Sequence, residues 1–94
     1  MSTQQEIISL LDQAVKMHQA NRLKEAENLY KKVLTLSPRQ YDALNLLGVL
    51  AHQSGNNDQA IDLFDQAIAA SPNLASAHFN KGNVLYGNKQ LEES

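Results

Sequence analysis

The 94-residue sequence contains no cysteine. That removes disulfides, thiol nucleophiles and thiolate metal sites together, and it is compatible with a reducing compartment, so a cytoplasmic location is the expectation. An excess of charge of one sign is also lacking. Eight Lys and Arg stand against ten Asp and Glu, a formal net charge of -2, and the whole-chain balance therefore argues neither for a nucleic-acid binder nor for a strongly acidic tail. No apolar stretch approaches the roughly 20 residues needed to cross a bilayer. The opening MSTQQEIISLLDQAV places no basic residue ahead of its apolar positions, unlike a signal peptide. Neither nucleic acid nor membrane is an expected partner. The sequence has no Gly-rich phosphate loop, no nucleophile with a matching base and orienter, and no metal-ligand spacing, so neither catalysis nor a cofactor is expected. At 43% hydrophobic residues, a chain of this size suits one small domain and no large enclosed site.

What the sequence does contain is a copy of itself. Displaced by 34 positions, His18 and Gln19 fall on His52 and Gln53, Ala26 on Ala60, Leu29 on Leu63, Tyr30 on Phe64, Leu34 on Ile68, and Ser37 and Pro38 on Ser71 and Pro72. A further step takes Ala43 to Ala77 and Gly48 to Gly82. The matched positions are the small, aromatic and proline ones, which packing constrains most tightly. A fixed period of this length signals a stacked array of short units.

Inside each period the pattern reads helix, turn, helix. Ile7, Leu10, Leu11, Ala14 and Met17 recur at three and four, as one face of a helix over 7–17. Leu23, Ala26, Leu29, Tyr30, Val33 and Leu34 repeat the spacing after a break around Asn21. Ser37 and Pro38 stop this second helix, because proline lacks the amide donor and disfavours helical geometry in the residue before it. Helices over 41–53 and 58–70 form the next pair, separated by Ser54, Gly55, Asn56 and Asn57, where glycine and asparagine tolerate left-handed backbone. A fifth helix is expected over about 74–86, ended by Gly87 and Asn88, with residues 89–94 opening a sixth. Ala26, Ala60, Gly48 and Gly82 are expected where helices approach closely, with Tyr30 and Phe64 filling the space beside them.

Leu44, Leu47, Gly48, Ala60, Phe64, Ala67 and Pro72, at their mutual spacings, resemble the tetratricopeptide repeat. The first copy keeps Leu10, Ala14, Ala26, Tyr30 and Pro38, with Met17 where the family often has an aromatic. The third keeps Asn80, Gly82 and Leu85. The resemblance implies one all-α domain over 1–94, a right-handed α-solenoid of antiparallel helix pairs with about two and a half repeats, at about 7–40, 41–74 and 75–94. It also implies a non-catalytic module that binds a peptide or protein segment in the concave groove lined by the first helices. The family's groove positions fall on Ile8, Leu11, Asp12, Val15, His18 and Gln19 in the first repeat. In the second they fall on Asp42, Asn45, Leu46, Val49, His52 and Gln53, and in the third on Ser76, Phe79, Asn80, Asn83 and Tyr86. Amides, imidazoles and exposed hydrophobes suit either an extended peptide or an amphipathic helix.

Two family variants can be compared with these residues. The chaperone-binding members grip a C-terminal carboxylate through cations, whereas the matching positions here hold Leu11, Val15, Leu46, Ser76 and Asn80. That clamp is absent. The run AHFNKGNVLY resembles the asparagine-ladder repeats of O-linked glycosyltransferases and bacterial repeat-bearing transferases, with Asn80 at the ladder position and Asp12 and Leu46 at the two earlier rungs.

An alternative role is self-assembly, or a scaffold within a larger repeat-bearing enzyme. Residues 1–40 carry six basic and four acidic residues, and residues 41–80 carry four acidic and no basic ones. Phe79, Val84, Leu85 and Leu91 lie toward an end that no complete sixth helix covers, so homo-oligomerisation through that end is the second expectation. His18, His52 and His78 do not have the spacing of a zinc site, which needs nitrogens near 2 Å from the metal. Asp58, Asp62 and Asp65, and the pair Lys31 and Lys32, read as solvated helix faces.

Overall fold

The three-and-four spacing of apolar residues closes into five helices: α1 (Thr3–Gln19), α2 (Leu23–Leu36), α3 (Tyr41–Gln53), α4 (Asn57–Ala70) and α5 (Ala75–Glu93). The computed structural model describes the backbone of residues 3–93 and the side chains of residues 3–87, and among these there is no strand. α1 packs on α2, α2 on α3, α3 on α4 and α4 on α5, and α3 also reaches α5. This serial stacking makes an all-α solenoid of about two and a half helix pairs.

The turns repeat as closely as the sequence does. At the end of α1 the Asn21 amide donates to the His18 carbonyl at 3.1 Å and the Arg22 amide to the Met17 carbonyl at 2.8 Å. At the end of α3 Gly55 donates to His52 at 3.0 Å and Asn56 to Ala51 at 2.8 Å. Both are Schellman closures, which require a left-handed residue just beyond the helix. Asn21 takes φ 62° and Gly55 φ 85° to provide it. The second helices end alike too, with the Ser37 amide on the Val33 carbonyl and the Ser71 amide on the Ala67 carbonyl, each at 2.8 Å.

The core runs between the pairs. Ala14, Ala26, Tyr30, Ala60, Phe64 and Ala67 are buried, with Leu44, Leu47, Leu50 and Ala51 of α3 joining the two units. Leu10, Val33 and Ala43 close a smaller cluster where α1, α2 and α3 meet. The alanines keep the axes near the 8 to 10 Å of ordinary helix packing. At Gly48 the approach is closest, because the Phe64 ring occupies the space a β-carbon would fill.

Two expectations fail at α5. No break occurs at Gly87 and Asn88, and among the described residues no sixth helix begins, because α5 continues to Glu93. The physical reason lies two residues on. The position equivalent to Asn21 and Gly55 is Lys89, which resists the left-handed backbone that both earlier turns use, whereas a glycine inside a helix costs only about 1 kcal/mol. Gly82 is likewise not a close-approach site, since no heavy atom among the described residues lies within 4 Å of a Cβ placed there. Among the described residues α5 packs on α4 and α3. Of the apolar residues expected to be uncovered at this end, Val84 is buried and Phe79 and Leu85 are exposed. The side chain of Leu91 falls outside the described residues.

Candidate functional site

Hydrogen bonds tie the first helices of successive pairs, α1, α3 and α5, to one another. His18 of α1 forms the first tie. Its Nε2 is 2.6 Å from Oε1 of Gln53 at the end of α3. A carbonyl oxygen only accepts, so Nε2 carries the proton, and in the neutral imidazole Nδ1 accepts from the Tyr30 hydroxyl, 3.0 Å away. The rings of His18 and Tyr30 meet edge to face at 5.9 Å. Tyr30 is fully buried, and burial pushes its phenol from 10.0 up to about 12. It therefore remains a hydroxyl donor across the physiological range.

The second tie joins α3 to α5. Asn45 is 7% exposed. Its Nδ2 donates to Ser76 Oγ at 3.1 Å, and its Oδ1 accepts from Asn80 Nδ2, also at 3.1 Å. The side chain that lies deepest in the stripe is thus satisfied from both sides, and it fixes the register of α5 against α3. Among the described residues no buried side-chain polar atom lacks a partner.

Val15, His18, Gln19, Tyr30, Leu46 and Gln53 line a shallow pocket of about 310 Å³ between α1 and α3. Leu11, Leu46 and Val49 are half-buried against the core and present part of their apolar surface beside it. Further along, Phe79 and Tyr86 of α5 are 69% and 64% exposed, and Asn83 is exposed between them. Five of the predicted groove residues, Val15, His18, Gln19, Leu46 and Gln53, are therefore joined by direct bonds or a shared pocket around the α1/α3 junction, and Asn45 and Asn80 are joined one step along.

Two other predicted groove residues, His52 and Asp12, make their contacts elsewhere. His52 turns to α4, its Nδ1 donating to Asn57 Oδ1 at 2.8 Å. Asp12 pairs with Lys16 along its own helix at 3.1 Å. His78 uses Nε2 on the Pro72 carbonyl at 2.9 Å, so the three imidazoles serve three different local contacts. Among the described residues no three His, Cys, Asp or Glu side chains are grouped as a metal would need. No helix among them is long and apolar enough to cross a membrane.

Tyr30 is the site residue that sequence reasoning assigned to packing alone. Its signal was available: a hydroxyl stands where the next repeat has the plain ring of Phe64, and a buried tyrosine hydroxyl calls for a partner.

Comparison with known proteins places this geometry in a wider group. The family model described as tetratricopeptide repeat matches residues 11–75 and 53–94. A mutant of the Thermobaculum terrenum O-GlcNAc transferase is 33% identical with a TM-score of 0.91, covering 99% of this chain and 18% of that one. The crystal structure of MamA is similar at TM-score 0.84 and 18% identity, over 88% of this chain and 48% of that one. The first repeat domain of Spaghetti (RPAP3), bound to an HSP90 peptide, is similar at TM-score 0.86 and 18% identity, over 95% and 71% respectively. The chain thus spans under a fifth of the transferase and about half of MamA. The two likenesses at 18% identity show the shared fold alone. With the family model covering most of its length and five helices stacked in series, this chain belongs to the tetratricopeptide repeat family.

Proposed function

We propose that this chain, a protein-interaction module by its family, holds a peptide or protein segment along the stripe formed by α1, α3 and α5 without acting on it chemically. The observation that carries the reading is the pair of ties, His18 to Gln53 and Asn45 to Asn80, which align three helices into one continuous wall. Polar groups on that wall are spaced among partly exposed apolar side chains, Leu46, Val49 and Phe79. Amides can meet a peptide backbone while the apolar surface takes side chains. A related fold captured with a peptide, that of Spaghetti, supports the same use of the surface here.

The test compares two variants in affinity capture with the natural full-length protein. Phe79→Ser with Asn83→Ala alters exposed concave positions, and Lys31→Gln with Lys32→Gln alters exposed positions on α2. Loss of captured partners in the first variant only, at unchanged melting temperature and mass, is the expected result. Equal capture by both variants would overturn the reading.

A second reading is self-association, and the uncovered face of α5 favours it. The Phe64 ring covers Gly48, whereas Gly82 is open and Leu85 next to it is 48% exposed. Sedimentation of Leu85→Glu against the parent chain at high concentration separates the two readings, because Leu85 lies off the concave stripe.

A further inference from the structure

Resting on the peptide-binding reading, we infer that the concave wall selects a segment free of carboxylates that presents a lysine or arginine to Asp42. The distribution of charge leads there. α1, α3 and the part of α5 with described side chains carry five charged residues: Glu6, Asp12, Lys16, Asp42 and Lys81. Both lysines are engaged. Lys16 lies 3.1 Å from Asp12, and Lys81 lies 2.6 Å from Asp65 of α4, on the side of α5 that faces α4. Glu6 sits on another stripe of α1, with Ser9, Leu10 and Gln13. Among the described residues Asp42 is the one carboxylate of the concave stripe without an ion-pair partner.

Among the described residues the other cations lie away from this wall. Lys24, Lys31 and Lys32 are on α2, where Lys31 meets Glu27 at 3.8 Å. Arg22 pairs with Glu25 at 3.5 Å, and the Arg39 guanidinium donates to the Ala69 carbonyl at 3.3 Å. An acidic ligand entering the groove would lose water beside Asp42 and, among the described residues of the wall, find no cation that is not already paired with a carboxylate, which is how an interface rejects a partner. A basic side chain instead finds the Asp42 carboxylate one helical turn before Asn45, which is itself bonded to Ser76 and Asn80. Asn80 spends one N–H on Asn45, and its second N–H and its carbonyl suit a peptide bond of the ligand. The occupant is thus a neutral to basic, amide-contacting segment with apolar side chains for the surface around Leu46 and Val49.

The probe is a phage-displayed library of random short peptides selected on the immobilised chain, counter-screened on the Phe79→Ser, Asn83→Ala variant. Peptides that depend on the groove are expected to be poor in Asp and Glu and to carry Lys or Arg. For a selected peptide made in two forms, with lysine or glutamate at the selected basic position, the lysine form is expected to bind about tenfold tighter, the sum of two exposed charge effects. That preference should shrink with added salt and disappear in Asp42→Asn. Groove-dependent peptides rich in carboxylates, or a lysine-to-glutamate ratio near one, overturn this selectivity and leave peptide binding standing. Selected peptides that bind the counter-screen variant equally well overturn the groove reading and this inference with it.

Discussion

The Phe64 ring lies so close to the Gly48 backbone that a β-carbon on Gly48 would sit 2.6 Å from Cε1 and 2.8 Å from Cδ1. Phe64 is itself 1% exposed, so it has no room to retreat. Gly48→Ala is therefore expected to destabilise the chain by about 1 to 3 kcal/mol through overpacking. Gly82→Ala, at the equivalent but open position, is expected to stabilise by up to about 1 kcal/mol through helix propensity. Phe64→Ala should cost about 3 to 5 kcal/mol. Thermal melts of the three variants check the ordering, and a Gly48→Ala protein that melts with or above the parent contradicts this packing.

Tyr30 couples the core to His18, and its titration gives a second prediction. Its phenol is raised by burial from 10.0 to about 12 in the folded chain. Between those values the unfolded chain has released the proton and the folded chain still holds it, so the unfolded state binds fewer protons. The stability this group contributes is therefore whole below pH 10 and is lost as pH rises toward 12. Tyr30→Phe removes that dependence. Urea midpoints of the two proteins across the window should converge as pH rises, starting from a deficit of about 0.5 to 1.5 kcal/mol at neutral pH for the lost bond to His18. A gap that stays constant through the alkaline range counts against the raised phenol.

Most of the architecture could be read directly from residue spacing. The 34-residue displacement, the apolar three-and-four rhythm and the prolines at 38 and 72 are each local constraints, and the first four helices they mark are those observed. The wall was less legible because its ties depend on how helices stack. Equivalent positions such as Leu46 and Asn80 are 34 residues apart, yet the bonds run from His18 to Gln53 and from Asn45 to Asn80, 35 apart in each case. The ties therefore join non-equivalent positions, and the 34-residue displacement does not reveal them. Asn45 is held inside the wall because Ser76 and Asn80 close over it, which no repeat alignment specifies. The end of α5 misled for a different reason: Gly87 and Asn88 resemble a turn, but Lys89 occupies the position where the turn needs a left-handed residue.

The Asn45 and Asn80 pair gives a third prediction. Asn80→Ala leaves the Oδ1 of the buried Asn45 without its donor, a loss of about 1 to 3 kcal/mol. Adding Asn45→Leu removes the stranded acceptor and replaces it with apolar surface, so the double variant should recover part of that loss. The expected coupling is about 0.5 to 3 kcal/mol in a double-mutant cycle, read from denaturant midpoints. Strict additivity would mean that the bond does not fix α5 on α3.

Asn21 and Gly55 perform one task with different residues, and that difference can be measured. Both close a Schellman turn with positive φ, 62° and 85°. Asparagine and glycine tolerate that geometry, whereas a residue with an ordinary β-carbon is strained there by roughly 1 to 2 kcal/mol. Gly55→Ala should therefore lower stability by about that amount, although no heavy atom stands within 4 Å of the new methyl group. Gly55→Asn should cost less, because asparagine already does the same work at the equivalent turn. Asn21→Gly relieves backbone strain while freeing the unfolded chain, two effects that oppose each other, and should stay within about 0.5 kcal/mol of the parent. Equal losses for Gly55→Ala and Gly55→Asn in parallel thermal melts would show that the turn does not depend on the left-handed backbone.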